Sequence, residues 1–152
     1  MKRIFKLFIL IITTTVGSQN DDITSKLYET YNNYKETSIG ERRIKHTDIQ
    51  PLITKLKKNS KYTIKQVGQS IEGRDLNLIR TGSGKTNVLL WSQMHGDEPT
   101  ATQAIFDIFN FLNSSEFSDE KEAILSNLTL HFLPMLNPDG AENFTRRNAL
   151  GV

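Results

Sequence analysis

The sequence predicts an α/β protein with a mixed, largely parallel sheet flanked by helices. The first observation is an apolar run at 88–91, followed by a long amphipathic helix pattern and by a second apolar run at 128–136. Both runs are typical of buried strands, and a strand–helix–strand order implies a right-handed crossover between parallel strands. The second observation is two alternating segments, 62–67 and 76–79, around a turn at 72–75, which predict an antiparallel hairpin.

Length and composition define the class of protein. The chain has 152 residues, of which 37% are hydrophobic and 24% charged, so it is large enough for one domain with a buried core. The formal net charge is +2, but it becomes −1 without the first eighteen residues, which hold three basic and no acidic side chains. This balance does not favour nucleic-acid binding. Cysteine is absent, so any metal must be held by histidine and carboxylate side chains.

Residues 1–18 have the pattern of a secretory signal peptide: a basic start, a short apolar run and then small residues. The alternatives are an N-terminal anchor or a buried helix, but the apolar run is short for a membrane span. We expect a mature protein that begins near Gln19 or Asn20, is secreted or periplasmic, and has no stable membrane anchor.

Residues 19–61 form a polar segment that favours helices. Its first helix would present one apolar face, formed by Ile23, Leu27, Tyr28 and Tyr31. A second helix is expected after His46 and Thr47, with Thr47 or Asp48 as its N-cap. Its apolar side would consist of Ile49, Leu52, Ile53 and Leu56.

The candidate metal ligands lie between the first apolar run and the long helix. His95 and Glu98 occupy a tight turn at the carboxyl end of the predicted strand, which is where open α/β sheets bind ligands. An imidazole and a carboxylate at this spacing can converge on one zinc ion, although such a pair is more often solvated. Pro99 suits the first helical turn. The apolar face that follows comprises Ala101, Ala104, Ile105, Ile108, Phe109 and Leu112.

Two other features favour structural interpretations. The stretch Gly82-Ser83-Gly84-Lys85-Thr86 suggests a phosphate loop, but it lacks the required spacing and precedes a strand, so we interpret it as a flexible turn. His131 lies within the second apolar run and is better explained as a hydrogen-bonded histidine than as a metal ligand.

The second apolar run ends in the turn sequence Asn137-Pro138-Asp139-Gly140, on the same sheet edge as His95. Arg146 and Arg147 follow. A guanidinium group here could bind a carboxylate or a polarised carbonyl, while the alternative is a solvated basic pair.

Three stretches in order carry a family resemblance: His95-Gly96-Asp97-Glu98-Pro99-Thr100, then Leu133-Pro134-Met135-Leu136-Asn137-Pro138-Asp139-Gly140, then Arg146-Arg147-Asn148-Ala149-Leu150-Gly151-Val152. Together they resemble the zinc carboxypeptidase family, the carboxypeptidase A-like metallopeptidases. The hairpin with Glu72-Gly73-Arg74 looks like the opening strands of that family. The resemblance covers roughly residues 62–152.

The resemblance implies that His95 and Glu98 are the first two protein ligands of a catalytic Zn²⁺ ion. It also implies an arginine that binds substrate, polarises the scissile carbonyl and stabilises the oxyanion. That role falls on Arg146, with Arg147 as the alternative because adjacent arginines leave the alignment ambiguous by one. The implied substrate is a peptide with a free carboxyl end, including cell-wall peptides, cleaved by a metal-activated water.

The sequence also departs from the family pattern. After Gly-Val the family continues into an Asp-Leu-Asn-Arg segment, a second zinc-binding histidine, a substrate-capping tyrosine and a general-base glutamate, none of which can be assigned here. We therefore expect an amino-terminal fragment, inactive alone and incomplete at its C-terminus, in which residues 62–152 begin the catalytic domain. The alternative functions are a zinc deacylase or amidase of related fold, or a secreted binding module without catalysis.

Overall fold

The computed structural model describes residues 19–40 and 42–152, so the predicted signal peptide lies outside the described residues. The chain divides into two units, with the boundary between Asn33 and Tyr34. The described part of the first unit consists of helix α1 (Gln19–Thr30) and a 3-10 turn (Tyr31–Asn33). The helix confirms the sequence prediction, but its expected apolar face is not buried, because Leu27, Tyr28 and Tyr31 are all exposed.

The second unit begins with helix α2 (His46–Lys57). The helix starts earlier than predicted, with Lys45 rather than Thr47 or Asp48 at the N-cap position. Asp48 still contributes to the helix start, because its carboxylate accepts a hydrogen bond from the Lys45 backbone amide at 2.8 Å. The predicted inner face is confirmed: Ile49, Ile53 and Leu56 are buried and Leu52 packs beside them.

Four strands form one mixed sheet in the order β1-β2-β4-β3. Their bounds are β1 Thr63–Gln69, β2 Asp75–Thr81, β3 Thr86–Trp91 and β4 Leu128–Leu133. The predicted hairpin is confirmed by the antiparallel β1–β2 pair, and the predicted crossover by the parallel β3–β4 pair. The α/β fold class is confirmed. Among the described strands, however, only the β3–β4 pair is parallel, because β2 also runs antiparallel to β4.

Helix α3 (Thr100–Asn113) fills the crossover and is followed by helix α4 (Ser118–Asn127). Pro99 stands at the N-cap of α3, one position before the predicted place. The buried face is also rotated from the prediction: Phe106 is buried, whereas Ala101 and Ala104 are exposed. Phe106 fills more core volume than the two alanines can, so the side of the helix that carries Phe106 faces the core.

The hydrophobic core lies between the sheet and helices α2 and α3. Phe109 is at its centre, with its ring centroid 4.8 Å from Phe132 of β4 and 5.5 Å from Tyr62. Edge-to-face contacts of this kind add to the stabilisation that burial itself gives. The core therefore fixes the crossover helix on the two parallel strands, and with it the carboxyl ends of those strands.

Strand β3 differs from its prediction. It was expected to be buried, but it borders the described sheet and only Val88 and Leu90 pack against the core. Leu89 and Trp91 point the other way and are 55% and 52% exposed. Apolar composition alone does not tell whether one face or both faces of a strand are covered. Among the described residues, no helix combines the length and apolar content needed to cross a bilayer.

Candidate metal centre

The site begins where β3 and β4 leave the sheet side by side. The Ser92 amide donates to the Leu133 carbonyl at 3.1 Å, and the amides of Leu136 and Asn137 donate to the Ser92 and Gln93 carbonyls at 2.9 and 3.0 Å. Parallel pairing thus continues past the ends of both strands. The turn with His95 and the segment with Asp139 consequently emerge together, as the sequence predicted for one sheet edge.

Gln93 shapes the turn from inside. Its backbone has a φ of 48°, in the left-handed region, which is uncommon for a residue other than glycine. Its buried side chain donates to the carbonyls of Ile44 and Gly96 at 2.9 and 2.8 Å, and accepts from the Thr102 hydroxyl at 2.8 Å. These bonds tie the turn to helix α3 and to the segment that precedes α2, and no feature of the sequence pattern pointed to this role.

Two glycines bring the turn against the next element. Helix α5 (Pro138–Asn143) forms where the sequence predicted only a turn, and Asn137 caps it by accepting from the Gly140 amide at 3.0 Å. A Cβ atom on Gly96 would overlap the backbone of Gly140 and Ala141. The predicted close approach at Gly96 is therefore an approach to the first turn of α5, and only a residue without Cβ permits it.

The start of α5 also holds the loop that carries Arg146. The Gly140 carbonyl accepts from the Thr145 amide at 2.8 Å, and the Asn137 side chain donates to the Arg146 carbonyl at 3.4 Å. As a result, the turn with His95 and the loop with Arg146 both contact the backbone of Gly140.

The structure brings Glu98 and Arg146 into direct contact, because the Arg146 guanidinium donates to and forms an ion pair with the Glu98 carboxylate. His95 is half-buried in the same turn, where its carbonyl accepts from the Glu98 amide at 3.2 Å. Arg147 points elsewhere and donates to the Gly151 carbonyl at 3.0 Å. Of the two adjacent arginines, Arg146 is therefore the one whose guanidinium reaches the turn.

The chemistry of this turn suits a zinc ion in part. It offers one imidazole nitrogen and one carboxylate, the donor types of catalytic zinc sites. Between them, Asp97 has a buried oxygen, Oδ1, without a hydrogen-bond partner in the described part of the chain. Within residues 19–40 and 42–152, no three histidine or acidic side chains are arranged to hold a metal. The described residues thus fit two ligands of a catalytic zinc, and a third would have to come from outside them.

Asp139 is a residue that the sequence analysis treated only as part of a turn. Its side chain is 1% exposed and accepts from the Ser70 hydroxyl at 2.6 Å, the Glu72 amide at 3.2 Å and the Arg74 guanidinium at 2.6 Å. Burial raises the pKa of the Asp139 carboxyl. The hydrogen bonds and the Arg74 charge together lower this pKa by more than burial raises it, so it lies below its ordinary value. The only signal in the sequence was the presence of Glu72-Gly73-Arg74 and Asp139 within the resembling stretches.

The hydrogen-bonded interpretation of His131 is confirmed, and so is the turn at 82–86, although hydrogen bonds hold that turn in place. His131 Nε2 is 2.9 Å from the Asn87 side-chain oxygen on the neighbouring strand, so its polar group is satisfied. The 82–86 stretch forms a turn whose Ser83 and Gly84 amides donate to the carbonyls of Leu125 and Leu128. Because these amides are used within the fold, they do not form a phosphate cradle.

The strand-end turn with His95 and Glu98 thus lies beside the loop that carries Arg146. The model of the zinc carboxypeptidase family matches residues 49–151. The chain belongs to that family.

Relatives and solved structures agree with this assignment. The chain is 35% identical over 89 residues to carboxypeptidase E of Caenorhabditis elegans, covering 53% of this chain and 19% of the relative. It is 34% identical over 88 residues to carboxypeptidase B of Astacus astacus, covering 55% of this chain and 28% of the relative.

The fold resembles the crystal structure of a metallo-carboxypeptidase from Burkholderia cenocepacia, with a TM-score of 0.65 and 20% identity, covering 70% of this chain and 30% of that protein. A metallo-carboxypeptidase from Pseudomonas aeruginosa, solved in complex with (2-guanidinoethylmercapto)succinic acid, gives a TM-score of 0.62, 22% identity and coverage of 72% and 30%. The chain thus spans less than a third of each of these proteins.

Proposed function

We propose that residues 62–152 are the amino-terminal part of a zinc carboxypeptidase catalytic domain, in which His95 and Glu98 bind Zn²⁺ and Arg146 binds the scissile carbonyl. The observation that carries the proposal is the contact between Arg146 and Glu98 at the turn that holds His95. This contact supports the proposal because it joins the proposed oxyanion donor to one proposed metal ligand, on the turn that carries the other. The match of the family model across residues 49–151 supports the same assignment.

The chemistry follows from these side chains. A bound zinc ion would supply Lewis acidity toward a water molecule and the peptide carbonyl. Arg146 would leave Glu98 and donate hydrogen bonds to the carbonyl oxygen as negative charge develops there, a contribution of about 3–4 kcal/mol to the barrier for a typical donor. The proposal assigns no general base and no third ligand among the described residues.

The proposed substrate is a peptide with a free carboxyl end. The compound bound to the Pseudomonas aeruginosa protein is a succinic acid derivative, and its carboxyl groups resemble the free end of a peptide. We also propose that residues 1–18 direct export. Intact-mass analysis of the exported protein would then show a start near Gln19 or Asn20, and a retained Met1 would contradict this.

The decisive experiment measures zinc by elemental analysis after dialysis of the complete enzyme. His95→Ala and Glu98→Ala should each abolish equimolar zinc and peptidase activity, because each removes one of three protein ligands. The matched controls are His131→Ala and Glu120→Ala, which change the same residue types away from the turn and should retain zinc. Equimolar zinc and full turnover in His95→Ala would refute the metal assignment.

A substrate comparison separates carboxypeptidase from deacylase activity. Peptides with a free carboxyl end, the same peptides with an amidated end, and acylated amino acids would be assayed side by side. The proposal expects cleavage of the first set and little cleavage of the second. Preference for the acylated amino acids would support the deacylase alternative instead.

A further inference from the structure

A cavity of about 190 Å³ lies between helices α2 and α3, beside the segment that contains Glu36. On the α3 side it is lined from the second half of the helix, between Phe106 and Asn113. The turn with His95 precedes the first residue of α3. At 1.5 Å per residue, the cavity therefore lies roughly 15 Å from that turn along the helix axis. It is a separate feature from the proposed metal centre.

The interior of the cavity is apolar. Leu52 and Leu56 of α2 line it together with Phe106 and Phe109 of α3, whose rings belong to the hydrophobic core. The volume of the cavity equals that of about six water molecules. A space of this size suits one small molecule with an apolar group, and it is too small for a lipid chain or a nucleotide.

The rim of the cavity carries charges of both signs. The Glu36 carboxylate is held by hydrogen bonds from the Ser38 hydroxyl at 2.7 Å, the Ser38 amide at 3.1 Å and the Asn110 side chain at 3.2 Å. Burial raises the pKa of the Glu36 carboxyl, but these hydrogen bonds and the Lys55 charge together lower it by more, so Glu36 is ionised at neutral pH. Lys55 and Lys58 are exposed and supply positive charge from α2.

We propose that this cavity binds a free amino acid with an apolar side chain, whose ammonium group donates to Glu36 and whose carboxylate meets Lys55 and Lys58. The apolar side chain enters the interior. A ligand with a single charge would leave either Glu36 or the two lysines without a counter-charge on the ligand. A free amino acid is also what the proposed carboxypeptidase reaction releases, and the inference rests on the proposed function for this source of the ligand alone.

The test titrates L-leucine into the complete enzyme and follows isotope-labelled leucine and methionine methyl groups by NMR. The reporters Leu52 and Leu56 line the cavity, whereas Met94, next to His95, reports on leucine bound at the proposed catalytic site. We expect saturable shifts at both reporters with a Kd on the order of 1 mM, since so small a ligand makes few contacts. Leucine amide lacks the carboxylate and 4-methylpentanoate lacks the ammonium group, so each should bind about tenfold more weakly.

Matched variants examine the two charges. Glu36→Gln should weaken leucine binding about tenfold, because a hydrogen bond to a charged group becomes a neutral one, and Lys55→Met should also weaken it. The controls are Glu120→Gln and Lys57→Met, which change the same residue types at exposed positions outside the cavity. Both controls should bind leucine as the wild type does.

A third variant tests the cavity without changing any charge. Leu52→Phe places a larger side chain in the cavity and should abolish the leucine-dependent shift at Leu56. Turnover of a dilute peptide substrate, in which little product accumulates, should persist in this variant and show that the enzyme still folds.

The outcomes separate this inference from the proposed function. Shifts at Met94 alone, unchanged leucine binding in Glu36→Gln, or equal binding of 4-methylpentanoate would each overturn the amino-acid site. Equal weakening by Lys57→Met would overturn it too, because the effect would then follow net charge. Zinc that survives in His95→Ala would refute the metal assignment, while the shifts at Leu52 and Leu56 would still decide whether the cavity binds leucine.

Discussion

Arg146 forms an ion pair with Glu98, 48 residues earlier in the chain. Both side chains are 57% exposed, and exposed ion pairs of this kind contribute about 0–1 kcal/mol to folding stability. The pair is therefore of little value as a stabilising contact. Its importance lies in the proposed function, in which Glu98 is a metal ligand and Arg146 is the oxyanion donor, so that Arg146 would only need to exchange Glu98 for the substrate carbonyl.

The first prediction concerns the two adjacent arginines. In the complete enzyme, Arg146→Ala should keep equimolar zinc and reduce kcat about a hundredfold or more, because it removes an oxyanion donor. Arg147→Ala is the matched control, since its guanidinium bonds to the Gly151 carbonyl rather than to Glu98. Steady-state kinetics with elemental analysis distinguishes them. If Arg147→Ala lost turnover and Arg146→Ala did not, the assignment would be wrong by one position.

The second prediction concerns Gly96. Gly96→Ala forces a Cβ atom into the backbone of α5, which no side-chain rotation relieves, and should lower the free energy of unfolding by about 3 kcal/mol or more. Gly40→Ala is the control, because the nearest atom to its new Cβ would be the Thr37 carbonyl oxygen at 3.9 Å. That substitution should change stability by no more than about 1 kcal/mol. Urea unfolding at constant pH measures both, and similar midpoints would contradict the close approach.

The third prediction concerns acid stability. The folded-state pKa of Asp139 is lowered, so the unfolded chain binds the proton first as pH falls. The stability contributed by the carboxylate is thus fully present above the unfolded pKa of about 3.9 and is lost as pH falls through the folded pKa. The difference in unfolding free energy between wild type and Asp139→Asn should be constant from pH 7 to pH 5 and shrink below about pH 4. If the difference in unfolding free energy between the two proteins grew toward acid pH, a lowered pKa of Asp139 in the folded state would be contradicted.

The fourth prediction concerns the edge strand β3. Leu89 and Trp91 are exposed beside an unpaired strand edge in the described sheet, which favours association between chains. Residues 19–152 expressed alone should be inactive and should aggregate, and Leu89→Lys should raise the soluble fraction measured by light scattering. Lys65→Leu, which adds an apolar side chain on β1, should not. A soluble, active monomer of the unmodified segment would overturn the expectation.

The sequence was sufficient for the parts of the fold that have local periodicity. The hairpin, the crossover and the strand-end turn with His95 and Glu98 all follow from alternation, helical spacing and turn residues. The face of α3 was misplaced because helical spacing does not weigh side-chain volume: the large Phe106 is buried, whereas the small Ala104 is exposed. The exposure of Leu89 was not predicted because the apolar composition of a strand does not indicate whether one of its faces or both are covered.

The polar framework of the site was beyond sequence reasoning for a different reason. Asp139 and Arg74 are 65 residues apart, and nothing local in either segment identifies the other as its partner. Gln93 likewise has a left-handed backbone and a side chain bonded to Thr102 and to Ile44, the latter 49 residues away. Such residues are specified by the assembled fold, whereas the proposed metal ligands belong to a short motif.

The contact between Gly96 and Gly140 has a consequence for the order of folding. The contact between Gly96 and Gly140 spans the same α3–α4 connection as the β3–β4 pair, and the six-residue register of that pair offsets the entropy of closing the connection better than one turn contact can. We therefore expect the parallel strands to pair first and the turn to become ordered in a later step. Pulse-labelled exchange during refolding should protect the Phe132 amide before the Glu98 amide. A metal ion would then bind to a nearly finished domain rather than nucleate it.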